Sequence, residues 1–331
     1  MRKLYFLLPG TSRTYHCGGL FAELKTVQLV QQVGKAEIVT YRQREKDTLF
    51  LDDLLQPGQF QNGIFVVSWG FDVPKLVARL KSHPVIYHAH SAGYGFRLPP
   101  SMPIITVSRN TMGYWGQQSP NSLIYYLPNQ ISDEFCDRHI PRDIDVLVQT
   151  RKTSDYVQHQ LLPTLQQQCR VSVIDSFVED LADLFNRSKI YLYDSAEYWA
   201  QQGVSEGFGL PPMEAMACGC QVFSSVNSAL ADYLDPGFNC HKIACYSVDY
   251  DLQRILSAIQ KPAFPALSEA LLADYRTERI LQRLAVILEQ VNEFFDHQER
   301  YPASIPSLTP WRLTQLKTRQ FLRKLGQKLR R

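Results

Sequence analysis

Short apolar segments alternate with amphipathic segments along the first half of the chain. The apolar segments predicted to be strands cover residues 3–8, 36–41, 63–68, 84–91, 104–108 and 123–127. Helices are predicted at residues 20–33 and 73–81, and another is predicted to begin after Ser108, which is a favourable N-cap residue. Repeated strand–helix units of this kind predict a parallel, doubly wound sheet, whose ligands bind beyond the carboxyl ends of the strands.

A polar stretch at residues 133–143 interrupts this alternation and precedes a new apolar strand at 144–148. We place a domain boundary near residue 140 for that reason. The later segments predicted to be strands are 170–174 and 188–193, and those predicted to be helices are 178–186, 252–260 and 268–297. The prediction is a first domain over 1–140, a second over 141–300, and a linker with a C-terminal helix over 301–331.

Composition excludes several classes of protein. With 331 residues and 45% hydrophobic content, the chain can bury two cores and is not of the disordered type. Its apolar runs are short and interrupted, so no transmembrane helix is predicted, and residues 1–10 read as a strand and loop rather than as a signal peptide. The seven cysteines form no CxxC pair, which favours reduced thiols in a cytoplasmic protein.

Charge is unevenly distributed, although the net charge is only +3. Residues 311–331 hold eight Lys and Arg residues and no acid, which leaves 27 bases against 32 acids in the remainder. On a helix, one apolar face of this segment consists of Trp311, Phe321, Leu322, Leu325 and Leu329. Such a helix is expected to lie on an anionic membrane surface, although packing of its apolar face on the first domain is an alternative. Nucleic acid is not an expected partner, because nothing else in the chain resembles a base-reading module.

A loop rich in glycine and proline leads into a short predicted helix at residues 205–219. Gly207 and Gly209 allow a close approach of a ligand that a Cβ atom would block, and the two prolines that follow suit a first helical turn. The N-terminus of a helix after such a loop offers free N–H groups and a positive dipole end, which suit a phosphate. Two carboxylates frame the site, because Glu206 and Glu214 are separated by seven residues.

This segment resembles the E-x7-E motif of retaining glycosyltransferases of family 4 (glycosyltransferase group 1), which have the GT-B fold. The GFGLPP between the glutamates and the EAMACG that starts at Glu214 are both in register with the motif. The resemblance is close over residues 188–225 and loose over nearly the whole chain. It implies an α/β protein in which two Rossmann-like parallel-sheet domains face each other across a cleft, the first on the acceptor side and the second holding the nucleotide sugar.

The resemblance implies an activity and roles for these residues. A hexosyltransferase of this family moves a sugar, with retention, from a nucleoside-diphosphate sugar to a hydroxyl of an acceptor, here expected to be lipid-linked or a polysaccharide. Glu206 is expected to contact the donor sugar, and Glu214 the ribose hydroxyls. The backbone between them, which consists of Gly207, Phe208, Gly209 and Leu210, is expected to face the diphosphate. A catalytically silent scaffold that binds nucleotide sugars or lipid head groups is the alternative function.

Further residues of the family's site have counterparts elsewhere in the chain. The family places a histidine at the end of a strand against the donor sugar, and His90 matches it, with His88 as the alternative. A glycine pair that lines the cleft in the family corresponds to Gly18 and Gly19, where a plain turn is equally compatible. The pair is not a GxGxxG motif, which argues against an NAD enzyme.

Basic residues after the strand at 144–148 are expected to hold the diphosphate. The family has an arginine there and a lysine five residues later, and Arg151 matches the first. Tyr156 stands where the lysine is expected, so Lys152 is the candidate to replace it. The chain lacks a suitable Asp-x-Asp, and we therefore expect no metal and no cofactor.

The connection between Ser195 and Glu206 is longer than is usual in the family. The extra residues 196–203 are rich in aromatic side chains. They are expected to overhang the donor site and influence the choice of sugar or acceptor, or else to form an ordinary surface loop. The expected location of the protein is the cytoplasm, at the inner face of the membrane if the C-terminal helix binds lipid.

Overall fold

Two parallel sheets form the framework of the protein. The structure is a computed structural model that describes residues 1–176, 178–261 and 269–328. The strands of the first sheet are β1 (Lys3–Leu8), β2 (Ala36–Thr40), β3 (Leu49–Phe50), β4 (Gly63–Val67), β5 (Val85–Ala89), β6 (Ile104–Thr106) and β7 (Ile124–Tyr126). They pair in parallel in the order β3-β2-β1-β4-β5-β6-β7. The strands of the second sheet are β8 (Ile144–Gln149), β9 (Val171–Ile174), β10 (Ser188–Tyr193), β11 (Gln221–Ser224) and β12 (Cys240–Lys242), and they pair in parallel in the order β12-β11-β10-β8-β9.

Helices connect the strands and cover the sheets. Those of the first half are α1 (Gly18–Val33), α2 (Leu51–Leu54), α3 (Val73–Arg79) and α4 (Arg109–Gln118). Those of the second half are α5 (Leu162–Gln166), α6 (Leu181–Arg187), α7 (Ala196–Gln202), α8 (Leu210–Ala217), α9 (Val248–Gln260), α10 (Glu269–Leu272), α11 (Thr277–Arg300) and α12 (Pro310–Lys328). Ser108 caps α4 as predicted, in a capping box with Thr111.

The central strands of both sheets are apolar at nearly every position because both of their faces are covered. All residues of β4 and β5 are buried. One face of the first sheet packs against α1 and α11, and the other face packs against α2, α3 and Trp115 of α4. The second sheet is covered by α6 and α8 on one face and by α5 and α9 on the other. This layered α/β arrangement confirms the predicted fold class.

Helix α11 returns to the first sheet, although its sequence lies within the predicted second domain. Leu284 of α11 belongs to the same buried core as Phe6 of β1. The guanidinium of Arg2 also donates to Asp296 at 2.6 Å and to Glu299 at 2.7 Å. The last third of the chain therefore contributes to the core of the first half.

The helix predicted over residues 268–297 is divided in the structure. Residue 268 lies outside the described residues, and those that follow form α10, a 3-10 turn and then α11. The division falls at Arg276, whose backbone is extended (φ −80°, ψ 157°). Its guanidinium donates to the carbonyl oxygens of Ser132 and Phe135, both at 2.9 Å. These bonds hold the start of α11 against the segment that joins the two sheets.

The helix predicted at the C-terminus is present as α12, while residues 329–331 lie outside the described residues. Its apolar side chains Trp311, Phe321 and Leu322 are 70%, 61% and 60% exposed. The alternative in which this face packs on the first domain therefore does not hold for these side chains. Within the described parts of the chain, no helix has both the length and the apolar character required to cross a membrane.

Candidate active site

A cavity of about 400 Å³ lies between the carboxyl ends of strands from the two sheets. Predicted site residues that line it are Gly18, Gly19, His90, Arg151, Lys152, Glu206, Gly207, Phe208, Gly209 and Leu210. They follow β1, β5 and β8 or belong to the loop before α8, so the position agrees with the usual ligand site of parallel sheets. Glu214 is not part of the cavity wall and lies further along α8.

Three side chains fix the carboxylate of Glu206, which is buried. Its Oε2 atom accepts hydrogen bonds from the Tyr193 hydroxyl at 2.7 Å, the Ser195 hydroxyl at 3.0 Å and the indole Nε1 of Trp199 at 2.6 Å. Burial, and next the charge of Glu206, raise the pKa of Tyr193 well above its ordinary value. The phenol therefore stays protonated and acts as the hydrogen-bond donor to Glu206. Among the described residues, no side chain or backbone group bonds to Oε1 of Glu206, so Glu206 presents a fixed oxygen to a ligand in the cavity.

The extra residues before Glu206 form helix α7, which ends at Gly203 in a left-handed conformation (φ 66°). Trp199 on this helix bonds to Glu206, as described above. The ammonium of Lys152 lies 4.4 Å from the centre of the Trp199 ring and 5.7 Å from that of Tyr198. The inserted segment is therefore a wall of the cavity rather than an ordinary surface loop.

On the opposite wall, His90 and His88 share one carboxylate. Oε2 of Glu23, on α1, lies 2.6 Å from Nδ1 of His88 and 2.7 Å from Nε2 of His90. His88 is only 2% exposed, whereas His90 lines the cavity. Of the two predicted alternatives, His90 is therefore the histidine that faces the cleft.

These three side chains also form the group that comes nearest to a metal site in the described part of the chain. Tetrahedral ligands at zinc distances are separated by about 3.3 Å. The observed N···O distances of 2.6 and 2.7 Å are shorter and correspond to hydrogen bonds. The arrangement is that of a hydrogen-bonded cluster.

Glu214 is a partly buried carboxylic acid on α8. Burial raises its pKa to about 7, although Lys25 of α1 lowers it, and Glu134 raises it further. Within the described residues its carboxylate has no hydrogen-bond partner. It therefore has no bond to the protein to break on binding a ligand, and it changes its charge near neutral pH.

The basic residues after β8 differ in their placement. Arg151 is exposed and lines the cavity, and Lys152 is half-buried with a left-handed backbone (φ 73°). Tyr156, at the position where the family has a lysine, donates its hydroxyl to Asp251 at 2.8 Å and does not line the cavity. Positive charge from this segment therefore reaches the cavity through Arg151 and Lys152.

The two halves of the molecule touch beside the cavity. A Cβ atom on Gly207 would lie 1.5 Å from the carbonyl oxygen of His90, so only glycine fits there. Ser91 donates its hydroxyl to the carbonyl oxygen of Ser205 at 2.6 Å, and the amide of Ala92 donates to the Ser205 hydroxyl at 3.1 Å. The sequence predicted that Gly207 allows the close approach of a ligand. In the structure, its missing side chain allows the backbone of His90, from the first half of the chain, to approach.

Sequence reasoning missed the residues that hold Glu206 and His90 in place. Tyr193, Ser195 and Trp199 have no pattern that pairs them with Glu206. Glu23 carried a detectable signal, because it lies in the apolar stripe of α1 among Leu20, Val27 and Val30. A carboxylate in such a stripe requires a buried partner.

Comparisons with known proteins agree with this geometry. Residues 158–268 match the family described as "Glycosyl transferases group 1". Anabaena HepE in complex with UDP and glucose is similar in structure, with 15% identity, a TM-score of 0.60 and coverage of 88% of this chain and 100% of that one. Sucrose-phosphate synthase from Thermosynechococcus elongatus is also similar, with 13% identity, a TM-score of 0.60 and coverage of 88% of this chain and 100% of that one. So is AviGT4, a glycosyltransferase involved in avilamycin A biosynthesis, with 13% identity, a TM-score of 0.56 and coverage of 89% of this chain and 98% of that one. No match was found among curated proteins.

The predicted resemblance to group 1 glycosyltransferases is thus confirmed, and the chain has the GT-B fold. The more specific assignment to the retaining family 4 remains a prediction.

Proposed function

We propose that this protein is a retaining, metal-independent glycosyltransferase that moves a hexose from a nucleoside-diphosphate sugar to a hydroxyl of a lipid-linked or polysaccharide acceptor. The observation that carries the proposal is the carboxylate of Glu206. Three donors hold it at the cavity wall, beside the loop that enters α8 and across from His90. The match to group 1 glycosyltransferases supports glycosyl transfer. The HepE structures hold UDP and UDP-glucose, so UDP-sugars are the first donors to test.

Each side of the cleft has a role in this proposal. The nucleotide binds to the half of the molecule that contains the second sheet, and the acceptor approaches from the half that contains the first sheet and α11. Arg151, Lys152 and the N-terminus of α8 stabilise the charge that develops on the departing diphosphate. The acceptor hydroxyl attacks the anomeric carbon from the face that the diphosphate leaves, and its proton passes to the departing diphosphate, so the configuration is retained. Glu206 and His90 hold the sugar ring during this step.

The direct test is release of nucleoside diphosphate by purified protein. A thermal-shift screen of UDP-, GDP- and ADP-sugars selects the donor, and a lipid-linked saccharide serves as the first acceptor. We expect acceptor-dependent release, a product with the donor's anomeric configuration by NMR, and no loss of rate in EDTA. Donor binding without release in the presence of any acceptor would instead identify a nucleotide-sugar-binding scaffold.

Donor binding is expected to tighten as pH rises through neutrality, because ribose hydroxyls donate best to an ionised Glu214. The carboxyl with its pKa of about 7 is mostly protonated below that pH and ionised above it. Glu214→Ala should weaken donor binding by about 1–3 kcal/mol. Calorimetry between about pH 6 and about pH 8 should show tightening for the wild type and a flat profile for Glu214→Gln. Equal profiles for both proteins would exclude Glu214 from ribose binding.

The raised pKa of Glu214 also affects the stability of the folded protein, which is expected to fall as pH rises, whereas donor binding tightens. The folded-state pKa of Glu214 lies above the ordinary value of 4.5, so its contribution favours the folded state at low pH and is lost as pH rises toward about 7.

Helix α12 is proposed to attach the enzyme to an anionic membrane, where a lipid-linked acceptor is found. Its exposed apolar side chains share the helix with Arg312, Lys317, Arg319, Arg323 and Lys324. Each base near the surface contributes about 1 kcal/mol at low salt.

Removal of residues 311–331 is expected to abolish salt-sensitive binding to vesicles that contain phosphatidylserine, without unfolding the rest of the protein. Sedimentation with vesicles and thermal unfolding measure the two effects. As a matched control, changing Arg319, Arg323 and Lys324 to glutamine keeps the apolar face and should weaken binding only in part. The proposal fails if the full-length protein ignores such vesicles at low salt.

A further inference from the structure

Glu23 is a buried carboxylate that is hydrogen-bonded to two histidines. It is 1% exposed, and the two bonds to its Oε2 atom, described above, are its hydrogen bonds in the described structure. An ionised carboxylate only accepts hydrogen bonds. Both nitrogens that face it, Nδ1 of His88 and Nε2 of His90, must therefore carry a hydrogen.

The proton on Nε2 decides what His90 offers to a ligand. In the described part of the chain Nδ1 of His90 has no partner, and His90 lines the cavity. Burial, and next the charge of His88, lower the pKa of His90, although Glu23 opposes the shift. A neutral imidazole with hydrogen on Nε2 has a lone pair on Nδ1.

The carboxylate of Glu23 remains ionised although it is buried. Burial raises its pKa, but the charge and hydrogen bond of His88 and the contact with His90 outweigh burial and bring it well below the ordinary value. Oε1 of Glu23 and Nε2 of His88 are buried without a partner among the described residues. Among the described residues, the two histidines are therefore the only hydrogen-bond partners of this carboxylate.

We infer that Glu23 is a positioning residue that makes His90 a hydrogen-bond acceptor toward the donor sugar. The site then selects a sugar with a hydroxyl facing Nδ1 of His90 over a sugar with a carboxylate there. The inference rests on the proposed glycosyl transfer. A hydroxyl donates its hydrogen to Nδ1. A carboxylate has no hydrogen to donate, and its oxygens would face the lone pair of Nδ1. A deoxy sugar would leave Nδ1 unpaired, which also disfavours it.

The test compares a UDP-hexose with the corresponding UDP-hexuronate in the wild type and in Glu23→Gln. A glutamine amide can donate to Nε2 of His90 as well as accept, which lets His90 turn to the tautomer that carries hydrogen on Nδ1. We expect the ratio of kcat/KM for hexose over hexuronate to fall at least about tenfold in the variant. Glu37→Gln makes the same chemical change at a half-buried position of β2, where the carboxylate pairs with Lys3 and does not line the cavity, and it should leave the ratio unchanged.

Two further measurements separate positioning from a merely structural role. Glu23→Asp keeps an acceptor-only group and should keep the preference for hexose, even where its rate is lower. Nitrogen NMR of histidine-labelled wild type, with His90→Gln to assign the signal, should show His90 neutral with hydrogen on Nε2.

The outcomes distinguish this inference from the proposed function. Equal losses with both donors in Glu23→Gln, or hydrogen on Nδ1 of His90 in the wild type, would overturn the inference while transfer itself stands. A wild type that transfers sugar from no nucleotide sugar would overturn the proposed function, and the selectivity with it.

Discussion

Changing Glu206 to glutamine is expected to reduce kcat by about 10²–10³-fold while donor affinity changes little. Tyr193, Ser195 and Trp199 all donate toward one oxygen of the side chain. The amide oxygen of glutamine can accept these bonds, which turns the NH₂ group toward the sugar. The geometry is then kept, but an anionic acceptor is replaced by a neutral donor at the reacting ring.

Initial rates give kcat for this variant, and calorimetry gives the affinity for the donor. Glu289→Gln on the exposed side of α11 is a matched control, and it should have wild-type kinetics. Retention of full turnover by Glu206→Gln would remove Glu206 from the mechanism. A loss of affinity with kcat unchanged would show that Glu206 binds the donor equally before and during reaction.

Changing Gly207 to alanine is expected to lower kcat/KM by about 10²-fold, because the two halves can no longer meet. The added methyl group would collide with a backbone oxygen, that of His90, at 1.5 Å, and a backbone oxygen cannot move aside as a side chain can. The halves must separate, which draws Glu206 away from His90 and opens the cavity to water. Each half keeps its own core, so the protein should remain folded.

Small-angle scattering should show a more open molecule, and circular dichroism an unchanged content of helix and strand. Gly116→Ala on α4 is the control, since nothing lies within 4 Å of its added Cβ and alanine favours a helix. Wild-type activity in Gly207→Ala would mean that transfer does not require the closed arrangement.

The sequence predicted most strands of both sheets because buried parallel strands are continuous apolar runs. β4 and β10 were predicted with correct or nearly correct bounds. β3, β11 and β12 were not predicted as strands, and each consists of only two to four residues. α11 was recognised by its apolar periodicity, but periodicity does not say which sheet a helix covers.

The candidate site was predictable where its residues are close in sequence. The segment from Glu206 to Glu214 contains its own glycines and prolines, so its loop and helix could be read directly. The contact between Glu23 and His90 spans 67 positions and arises only because α1 packs on the face of the sheet to which β5 contributes. The bond from Trp199 to Glu206 is closer in sequence, but it depends on how α7 folds back over the cavity.

The position of α11 has a consequence for synthesis on the ribosome. The first sheet emerges complete with β7, yet the apolar surface that contains Phe6 and Ile86 is covered only in part, by α1, until residues 277–300 have left the exit tunnel. About half of the chain must be translated in the meantime, which takes roughly ten seconds or more at about 5–20 residues per second. The nascent first half therefore exposes the part of this apolar surface that α11 later covers throughout that interval, which favours the binding of chaperones.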